Sequence, residues 1–303
     1  MYDIIVVGGG PAGMTAALYG LRSGKKVLVI EKSGFGGQIT HSPKVENIPG
    51  FASLSGNEFA ERFLDQILGQ GAEIEFENVT KVTDEGALKR VETEEGSVYE
   101  AKTVILATGV KHRMLGLPGE DELVGEGISF CAVCDGDFYT GKTVCMVGGG
   151  NSALQEAILL SDKCAKVTIL QDLPYLTGEA RLQEVLLDRD NVTVRCGMKV
   201  LELLTADGAL KGVRVQDADG AVSEELCDGL FVAIGLIPEN DAFKALADLN
   251  DWGYFASGED CTTRTPGIFV AGDCRSKSVR QVTTAASDGA AAALAACRYV
   301  DGL

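Results

Sequence analysis

Two glycine-rich segments, each directly after an apolar run, constrain the fold of this chain most strongly. Residues 3–7 form an apolar run typical of a buried parallel strand, and Gly8-x-Gly10-x-x-Gly13 follows at once. A helical pattern comes next, and a second strand pattern ends at Glu31, 23 residues after Gly8. Such glycines bring the backbone close to a pyrophosphate at a helix N-terminus, while the acid accepts hydrogen bonds from a ribose. The segment predicts a dinucleotide-binding unit.

The same pattern returns 140 residues later. A strand pattern over 142–147 precedes Gly148-Gly149-Gly150-Asn151-Ser152-Ala153, in which alanine replaces the third glycine, and helix and strand patterns follow. Two such fingerprints predict two dinucleotide-binding domains rather than one. In this repeat Gly148, Gly150, Asn151, Ser152 and Ala153 are the candidate nucleotide contacts.

Each repeat has a later closing strand pattern, over 103–109 and over 229–235. The segments before them, 73–99 and 192–222, alternate apolar and polar residues as β-meanders do. A further buried strand pattern, over 267–273, lies beyond the second repeat. We therefore predict an α/β fold with two Rossmann-like dinucleotide-binding domains of three-layer ββα type, the second inserted into the first. The predicted boundaries are 1–111 with 238–303 for the first domain and 112–237 for the second.

Composition excludes several classes of function. The net charge is −17 without a basic stripe, so nucleic acid and anionic membrane surfaces are not expected partners. No apolar run approaches the roughly 18 residues that a membrane span needs. The chain starts directly with a strand pattern, which predicts no secretory signal, and nine scattered cysteines fit a reducing cytosol. We expect a cytoplasmic protein.

A pair of cysteines, Cys131 and Cys134, lies a few residues before the second fingerprint in the sequence CAVCDG. A CxxC alone is shared by zinc sites, structural thiols and redox centres. No second CxxC follows, and His41 and His112 are the only histidines, so a closed zinc site is not supported and no metal is predicted. Thiol–disulfide chemistry beside two nucleotide-binding units is the remaining prediction.

The whole chain resembles the low-molecular-weight thioredoxin reductases. The resemblance rests on the first fingerprint, on GGQ at 36–38, ENIPG at 46–50, ATG at 107–109, the CAVCDG segment, and AGD at 271–273 followed by Arg280-Gln281. It implies FAD in the first domain, a nicotinamide nucleotide in the inserted domain, a homodimer, and thioredoxin or a thioredoxin-like protein as the partner.

The resemblance also implies which residues contact FAD. They come from both terminal segments of the chain and are Gly8, Gly10, Pro11, Ala12, Gly13, Glu31, Lys32, Gly37, Gln38, Asn47, Thr108, Gly109, Gly272, Asp273, Arg280, Gln281 and Val282. By the same resemblance Asp273 bonds the ribitol chain, and the helix that starts near Arg280 points its N-terminal end at the flavin ring.

The family also assigns roles at the dithiol: Cys134 faces the flavin, and Cys131 exchanges with the protein substrate. A CxxC that opens a helix places two sulfurs close enough to bridge, and the helix dipole stabilises a thiolate. Asp135 is the predicted acid–base group because the reaction needs one and neither histidine lies nearby in sequence. The alternative is that Asp135 only caps the helix start.

One departure from the family concerns the electron donor. Reductases that use NADPH carry a His-Arg-Arg cluster after the second strand of the middle domain, where guanidinium groups bind the 2′-phosphate. Here Gln171-Asp172-Leu173 stands there, and Arg181 is the first cation that follows. A carboxylate such as Asp172 repels a phosphate and can bond a free ribose diol. We expect an oxidoreductase with NADH as donor.

Other readings of this departure stay open. They are residual use of NADPH, a donor such as ferredoxin, and reverse operation as a dithiol oxidase, although the retained fingerprint favours a bound nucleotide. A different class of function is a redox-sensing flavoprotein whose CxxC is a switch and not a site of turnover.

Overall fold

The computed structural model describes residues 1–42 and 45–302, which form two compact units. The described residues of the first unit are 1–42, 48–111 and 237–302, and those of the second are 45–47 and 112–236. The chain leaves the first unit, builds most of the second, and returns. The predicted α/β class with an inserted second unit is therefore confirmed.

Helices separate the first strands of each unit, and runs of consecutive strands follow. The strands are β1 (Tyr2–Val7), β2 (Val27–Ile30), β3 (Glu73–Glu75), β4 (Val79–Glu85), β5 (Leu88–Thr93), β6 (Val98–Leu106), β7 (Lys111–His112), β8 (Ile128–Ser129), β9 (Thr143–Val147), β10 (Lys166–Gln171), β11 (Val192–Cys196), β12 (Lys199–Ala206), β13 (Ala209–Gln216), β14 (Val222–Leu226), β15 (Gly229–Val232), β16 (Leu236–Ile237) and β17 (Ile268–Val270). The helices are α1 (Pro11–Arg22), α2 (Gly56–Gly69), α3 (Glu120–Leu123), α4 (Ala132–Asp135), α5 (Asn151–Ser161), α6 (Ala180–Leu187) and α7 (Val282–Asp301).

The first unit is built on a seven-stranded sheet with the order β3-β2-β1-β6-β5-β4, and β17 also pairs with β6. The strands β3, β2, β1, β6 and β17 run parallel, whereas β4, β5 and β6 form an antiparallel meander. Ile4, Ile5 and Val6 are fully buried, because this central strand is covered on both faces. The C-terminal segment thus adds its strand to the sheet that the N-terminus begins.

Two helices of the first unit pack closely beside this sheet. A Cβ atom at Gly289 of α7 would lie 2.1 Å from the carbonyl oxygen of Ala12 in α1, so only glycine permits this approach. Alanines of α7, among them Ala292, Ala293 and Ala296, are fully buried in the same apolar cluster. This contact fixes α7 against the first turn of α1, where the first glycine fingerprint ends.

The second unit repeats the plan at smaller size. Its parallel sheet has the order β11-β10-β9-β15-β8, and β12, β13 and β14 form a separate antiparallel meander. Both meanders begin later than the alternating patterns predict. In each unit the first strand of the pattern, β3 or β11, pairs in parallel with the preceding strand of the sheet, because alternation alone does not distinguish an edge strand from a meander strand.

Neither a membrane-spanning helix nor a metal-binding cluster occurs in the part of the chain that the structure describes. Within residues 1–42 and 45–302, no helix combines the length and the apolarity that a membrane span requires. Within the same residues, His, Cys, Asp and Glu side chains do not gather in a group of three that could hold a metal ion.

Candidate active site

The first glycine fingerprint forms a tight loop between β1 and α1. Gly8 has φ +109°, and a Cβ atom there would lie 2.3 Å from the carbonyl oxygen of Ala107. A Cβ atom at Gly13 would lie 1.9 Å from the carbonyl oxygen of Gly8. Gly10 differs, since no atom of the described residues other than its two chain neighbours lies within 4 Å of the position that a Cβ atom would take. The loop is closed on the protein side and open at Gly10, where a pyrophosphate could approach the N-terminus of α1.

Glu31 ties this loop to the end of β2. Its buried carboxylate accepts the N–H of Gly9 at 2.6 Å and the N–H of Ser33 at 2.9 Å. Bonds to a charged carboxylate are strong, so Glu31 also sets the shape of the loop. The adjacent Lys32 is half-exposed and pairs with Glu239 at 2.6 Å.

Asp273 follows β17 and has an oxygen that the protein leaves unpartnered. Its Oδ1 is buried and has no hydrogen-bond partner among the described residues, and its closest cation is the Lys277 ammonium at 3.9 Å. Burial raises the pKa of this carboxyl. A buried acceptor of this kind fits a hydroxyl donor, which the ribitol chain of FAD supplies. The residues present therefore fit FAD at this position.

Other candidates for FAD have partners in the first unit. The Thr108 hydroxyl donates to Asn240 at 2.8 Å. Arg280 stacks on Tyr254 at 4.3 Å and donates to the carbonyl oxygen of Asp273 at 3.3 Å. Gln281 caps α7, whose first residue is Val282.

Gly37, Gln38 and Gly109 stand at turns. Gly37 and Gln38 begin a short 3₁₀ turn, and a Cβ atom at Gly37 would lie 3.5 Å from Cα of Gly10. Gly109 has φ +67°. Asn47 lies in the 45–47 segment, which groups with the second unit, and its assignment to FAD stays a prediction.

An ion cluster supports the turn that carries Asp273. Asp288 on α7 is bonded twice by the Arg275 guanidinium, at 2.8 and 3.1 Å, and by the Lys277 ammonium at 3.0 Å. Asp288 also accepts the N–H of Gly272 at 3.1 Å. Because Arg275 and Asp288 are buried, this cluster fixes the geometry of residues 272–273.

The dithiol of the second unit is oxidised. Cys131 and Cys134 form a disulfide across one turn, with Cα atoms 5.3 Å apart. Cys131 caps α4, and the N–H of Cys134 donates to Sγ of Cys131 at 3.2 Å. The helix that the CxxC opens is only four residues long, so single N–H groups rather than an extended helix dipole face the sulfur. Val133, between the cysteines, is 55% exposed.

Asp135 is the last residue of α4 and directly follows Cys134. It accepts the hydroxyl of Ser129 at 2.6 Å through Oδ2, whereas its buried Oδ1 has no hydrogen-bond partner within residues 1–42 and 45–302. Burial raises its pKa, and the Ser129 bond lowers it by less. Ser129 also accepts the N–H of Cys131 at 3.1 Å. Ser129 thus connects this carboxyl to the backbone of Cys131, and a buried carboxyl with a raised pKa next to the dithiol can hold and move a proton.

A cavity of about 730 Å³ lies at the second fingerprint. Its lining includes Gly148, Gly150, Asn151 and Ser152 of the fingerprint, and Asp172 after β10. Ala153 is fully buried behind them in α5. The His112 ring is stacked on Phe130 at 4.5 Å, and both residues also line the cavity. The volume is in the range of small-molecule and cofactor sites.

Comparison with known proteins fits this arrangement. The family described as pyridine nucleotide-disulphide oxidoreductase matches residues 2–289. The chain belongs to the pyridine nucleotide-disulphide oxidoreductase family. Members of this family are enzymes, and membership implies FAD and a nicotinamide nucleotide as cofactors without deciding which nucleotide.

Individual relatives of this oxidoreductase cover the whole chain. It is 40% identical over 304 residues to a thioredoxin reductase of Listeria monocytogenes, with 100% of this chain and 95% of the relative covered. It is 38% identical to a thioredoxin reductase of Bacillus subtilis, with 100% and 96% covered. The crystal structure of a thioredoxin reductase from Streptococcus pyogenes matches with a TM-score of 0.94 and 38% identity, covering 100% of this chain and 99% of that one. The two dinucleotide-binding folds predicted from the sequence are thus confirmed.

The two fingerprint loops of this oxidoreductase can be aligned residue by residue, because each contains an equivalent backbone hydrogen bond. Gly8 N–H donates to the carbonyl oxygen of Ile30 at 2.8 Å, and Gly148 N–H donates to that of Leu170 at 3.0 Å. The residue after Ile30 is Glu31, and the residue after Leu170 is Gln171. Gln171, which is buried, therefore occupies the position of Glu31, whereas Asp172 is exposed.

Sequence reasoning missed Gln171, although a signal for it existed. Gln171 follows Gly148 by 23 residues, the same spacing that separates Glu31 from Gly8. Ser129 was also missed, because a serine two residues before a CxxC has no pattern of its own. Glu156, which accepts the N–H of Ala132 beside Cys131, was missed because it stands inside an ordinary helical pattern.

Proposed function

We propose that this oxidoreductase is an FAD-dependent reductase of thioredoxin or a thioredoxin-like protein, with NADH as the electron donor. The observation that carries the proposal is the Cys131–Cys134 disulfide, placed one turn from a buried acid in the unit that contains the nucleotide cavity. The relatives named as thioredoxin reductases support the choice of protein substrate.

The dithiol acts by disulfide exchange. In the reduced enzyme, the thiolate of Cys131 attacks one sulfur of the substrate disulfide, and the other substrate sulfur leaves and takes up a proton. The thiolate of Cys134 then attacks Cys131, which releases the second substrate thiol and forms the Cys131–Cys134 disulfide again. The exposed side chain of Val133 supports access of a protein substrate from this side of the turn.

Asp135 is the acid–base group of this exchange. One of its oxygens is held by Ser129, and the other is free of protein partners in the described part of the chain. Its raised pKa favours the protonated form that can donate to a leaving thiolate. The alternative role for Asp135 was to cap the start of the helix. Cys131, and not Asp135, occupies the N-cap position of α4, which favours the acid–base role.

FAD supplies the transfer of two electrons from the nicotinamide to the dithiol. We assign it to the first unit, where the open side of Gly10, the carboxylate of Glu31 and the unpartnered oxygen of Asp273 fit its pyrophosphate, ribose and ribitol groups. The domain boundaries and the remaining FAD contacts predicted from the sequence form part of this proposal.

The choice of NADH rests on the residues after β10. The end of this strand carries a neutral Gln171 and an exposed Asp172, and neither can form a guanidinium fork around a 2′-phosphate. Lys199 lines the same cavity, and the preceding residue, Met198, donates its N–H to the carbonyl oxygen of Gln171 at 2.8 Å. The ammonium group of Lys199 provides a point charge but not the bidentate geometry. Arg113 also lines the cavity, but its guanidinium lies beside Gly235 and not after β10, with Nε 3.8 Å from the position that a Cβ atom of Gly235 would take.

The proposal extends to the cellular compartment and the oligomeric state of this enzyme. Seven further cysteines are free, and six of them are buried, as expected for a protein of a reducing compartment. We propose a cytoplasmic homodimer.

Anaerobic titration of the flavin spectrum tests the donor. We expect NADH to bleach the flavin faster than NADPH, followed by repeated reduction of added thioredoxin. If reduced ferredoxin bleaches the flavin and neither nucleotide does, the nicotinamide donor is wrong. Faster oxidation of dithiols than reduction of disulfides would identify a dithiol oxidase, and a single stoichiometric oxidation without turnover would identify a redox sensor.

A further inference from the structure

Glu156 on α5 contacts the dithiol turn and has no role in the exchange described above. Its Oε2 accepts the N–H of Ala132 at 3.2 Å, and Ala132 is the first residue after Cys131. Glu156 also lines the nucleotide cavity. One side chain therefore contacts the redox turn on one side and the nucleotide cavity on the other.

The surroundings of Glu156 make its charge state responsive near neutral pH. Burial raises its pKa to about 7, the Ala132 bond lowers it, and the negative field of Asp135 raises it. Four other titratable side chains, those of His112, Arg113, Asp172 and Lys199, line the same cavity as Glu156. Among the strands packed against α5, β9 carries no charge. The charged residues on the other packed elements are Asp135 on α4, Lys166 on β10, and Arg181 and Glu184 on α6. Lys166, Arg181 and Glu184 are exposed to solvent.

We propose that Glu156 is a positioning residue for the dithiol, which holds the first turn of α4 and sets by its charge how readily the Cys131–Cys134 disulfide is reduced. The proposal rests on the proposed function only in taking this disulfide as the redox centre. It adds a second acid to the site beside Asp135, bonded to the N–H of Ala132, whereas Ser129 is bonded to the N–H of Cys131.

The electron and proton balance gives the direction of the effect. Reduction breaks the bond between the two sulfurs, takes up two electrons, and binds two protons, or one proton when one sulfur remains a thiolate. An ionised Glu156 opposes negative charge on the neighbouring sulfur, so it disfavours the reduced form. A protonated Glu156 does not. The disulfide should therefore become harder to reduce as Glu156 loses its proton.

The test measures the reduced fraction of the dithiol in the FAD-loaded enzyme between about pH 5.5 and 9. Wild type, Glu156→Gln and the control Asp137→Asn are equilibrated with mixtures of reduced and oxidised dithiothreitol, and free thiols are counted by alkylation and mass spectrometry. Asp137 is a matched control because its carboxylate is exposed, pairs with Lys163, and lies two residues after Asp135.

We expect equal redox equilibria for the three proteins near pH 5.5, where Glu156 is protonated. Above about pH 8, Glu156→Gln should favour the reduced dithiol about tenfold more than wild type, which corresponds to about 30 mV for a two-electron couple. Asp137→Asn should follow wild type at every pH. The proposal is overturned if Glu156→Gln follows wild type throughout, or if Asp137→Asn shifts as much.

A shorter acid separates position from charge. Glu156→Asp keeps the carboxylate but withdraws it from Ala132, so the pH dependence should persist while the rate of thioredoxin reduction falls. A rate equal to wild type would contradict the positioning role. The redox equilibria use neither thioredoxin nor nucleotide. A wild-type enzyme that fails to reduce thioredoxin would therefore defeat the proposed function without deciding the role of Glu156.

Discussion

Replacement of Gly10 by alanine separates folding from cofactor binding in the first unit. Gly10 has φ −76° and ψ −178°, which alanine adopts without strain. Apart from its two chain neighbours, the part of the chain that the structure describes places no atom within 4 Å of the position that a Cβ atom would take. In the proposed site the pyrophosphate of FAD fills that space. The added methyl group therefore meets the ligand and not the protein.

The expected magnitudes differ for stability and for affinity. The free energy of unfolding of the apoprotein should change by less than about 1 kcal/mol, because the substitution alters only an unstrained helix cap. A methyl group forced into a filled contact costs about 1–3 kcal/mol, which corresponds to a loss of FAD affinity of about fivefold to 150-fold.

The assay combines thermal unfolding of the apoprotein with fluorescence titration of FAD. Two other glycine-to-alanine variants serve as controls. Gly150→Ala, where the nearest protein atom to the added Cβ is Oγ1 of Thr177 at 3.7 Å, should keep FAD and weaken the nucleotide. Gly13→Ala should lower stability itself, since its Cβ would lie 1.9 Å from a carbonyl oxygen. A stable Gly10→Ala protein with wild-type FAD affinity would refute the assignment of the pyrophosphate to this loop.

Three further predictions concern the second unit. Asp135→Asn should lower thioredoxin reduction about a hundredfold. It should also raise the melting temperature at pH 7.5. The raised pKa of Asp135 means that folding takes up a proton. The wild type therefore loses stability as pH rises above about 3.9, the pKa of an Asp in the unfolded chain. If Asp135→Asn melts at a lower temperature than wild type at pH 7.5, this reasoning is wrong. Cys134→Ser should retain FAD and lose disulfide reduction, and unchanged turnover with thioredoxin would overturn its role. Gln171→Glu should weaken NADPH binding at least about tenfold more than NADH binding, and an equal effect on both nucleotides would exclude this position from contact with the ribose.

The fold was predictable because its signals are local and repeated. The run before Gly8 is buried on both faces as β1, and the strand pattern before Gly148 is buried as β9 in the same way. The return of the chain to the first sheet followed from one strand pattern placed beyond the second repeat, which became β17. The starts of the meanders were not predictable, because β3 and β11 are short strands whose pairing depends on the neighbouring strand and not on their own residues.

The chemistry of the site was predictable only in part. The dithiol and Asp135 are adjacent in sequence, so their proximity required no knowledge of the fold. Ser129 and Glu156 reach the same turn from β8 and α5, and hydrogen bonds of this kind have no sequence spacing that identifies them. The same limit applies to Asp288, which supports the turn at Gly272 from α7.

The two fingerprint loops have the same backbone arrangement but are held by different side chains. This difference fits the two kinds of ligand that we propose. In the first unit the carboxylate of Glu31 holds the N–H of Gly9 at 2.6 Å, which is a charge-assisted bond. In the second unit Gln171 makes a neutral contact with the carbonyl oxygen of Tyr175 at 3.4 Å, at the limit of hydrogen bonding. A tightly fixed loop suits FAD, which stays bound through many turnovers. The loop of the second unit is held by neutral bonds, since the carbonyl oxygen of Gly149 also accepts the backbone N–H groups of Thr177 and Gly178 at 2.8 and 2.9 Å. Neutral bonds are weaker than charge-assisted ones, which suits a nucleotide that must bind and leave in every catalytic cycle.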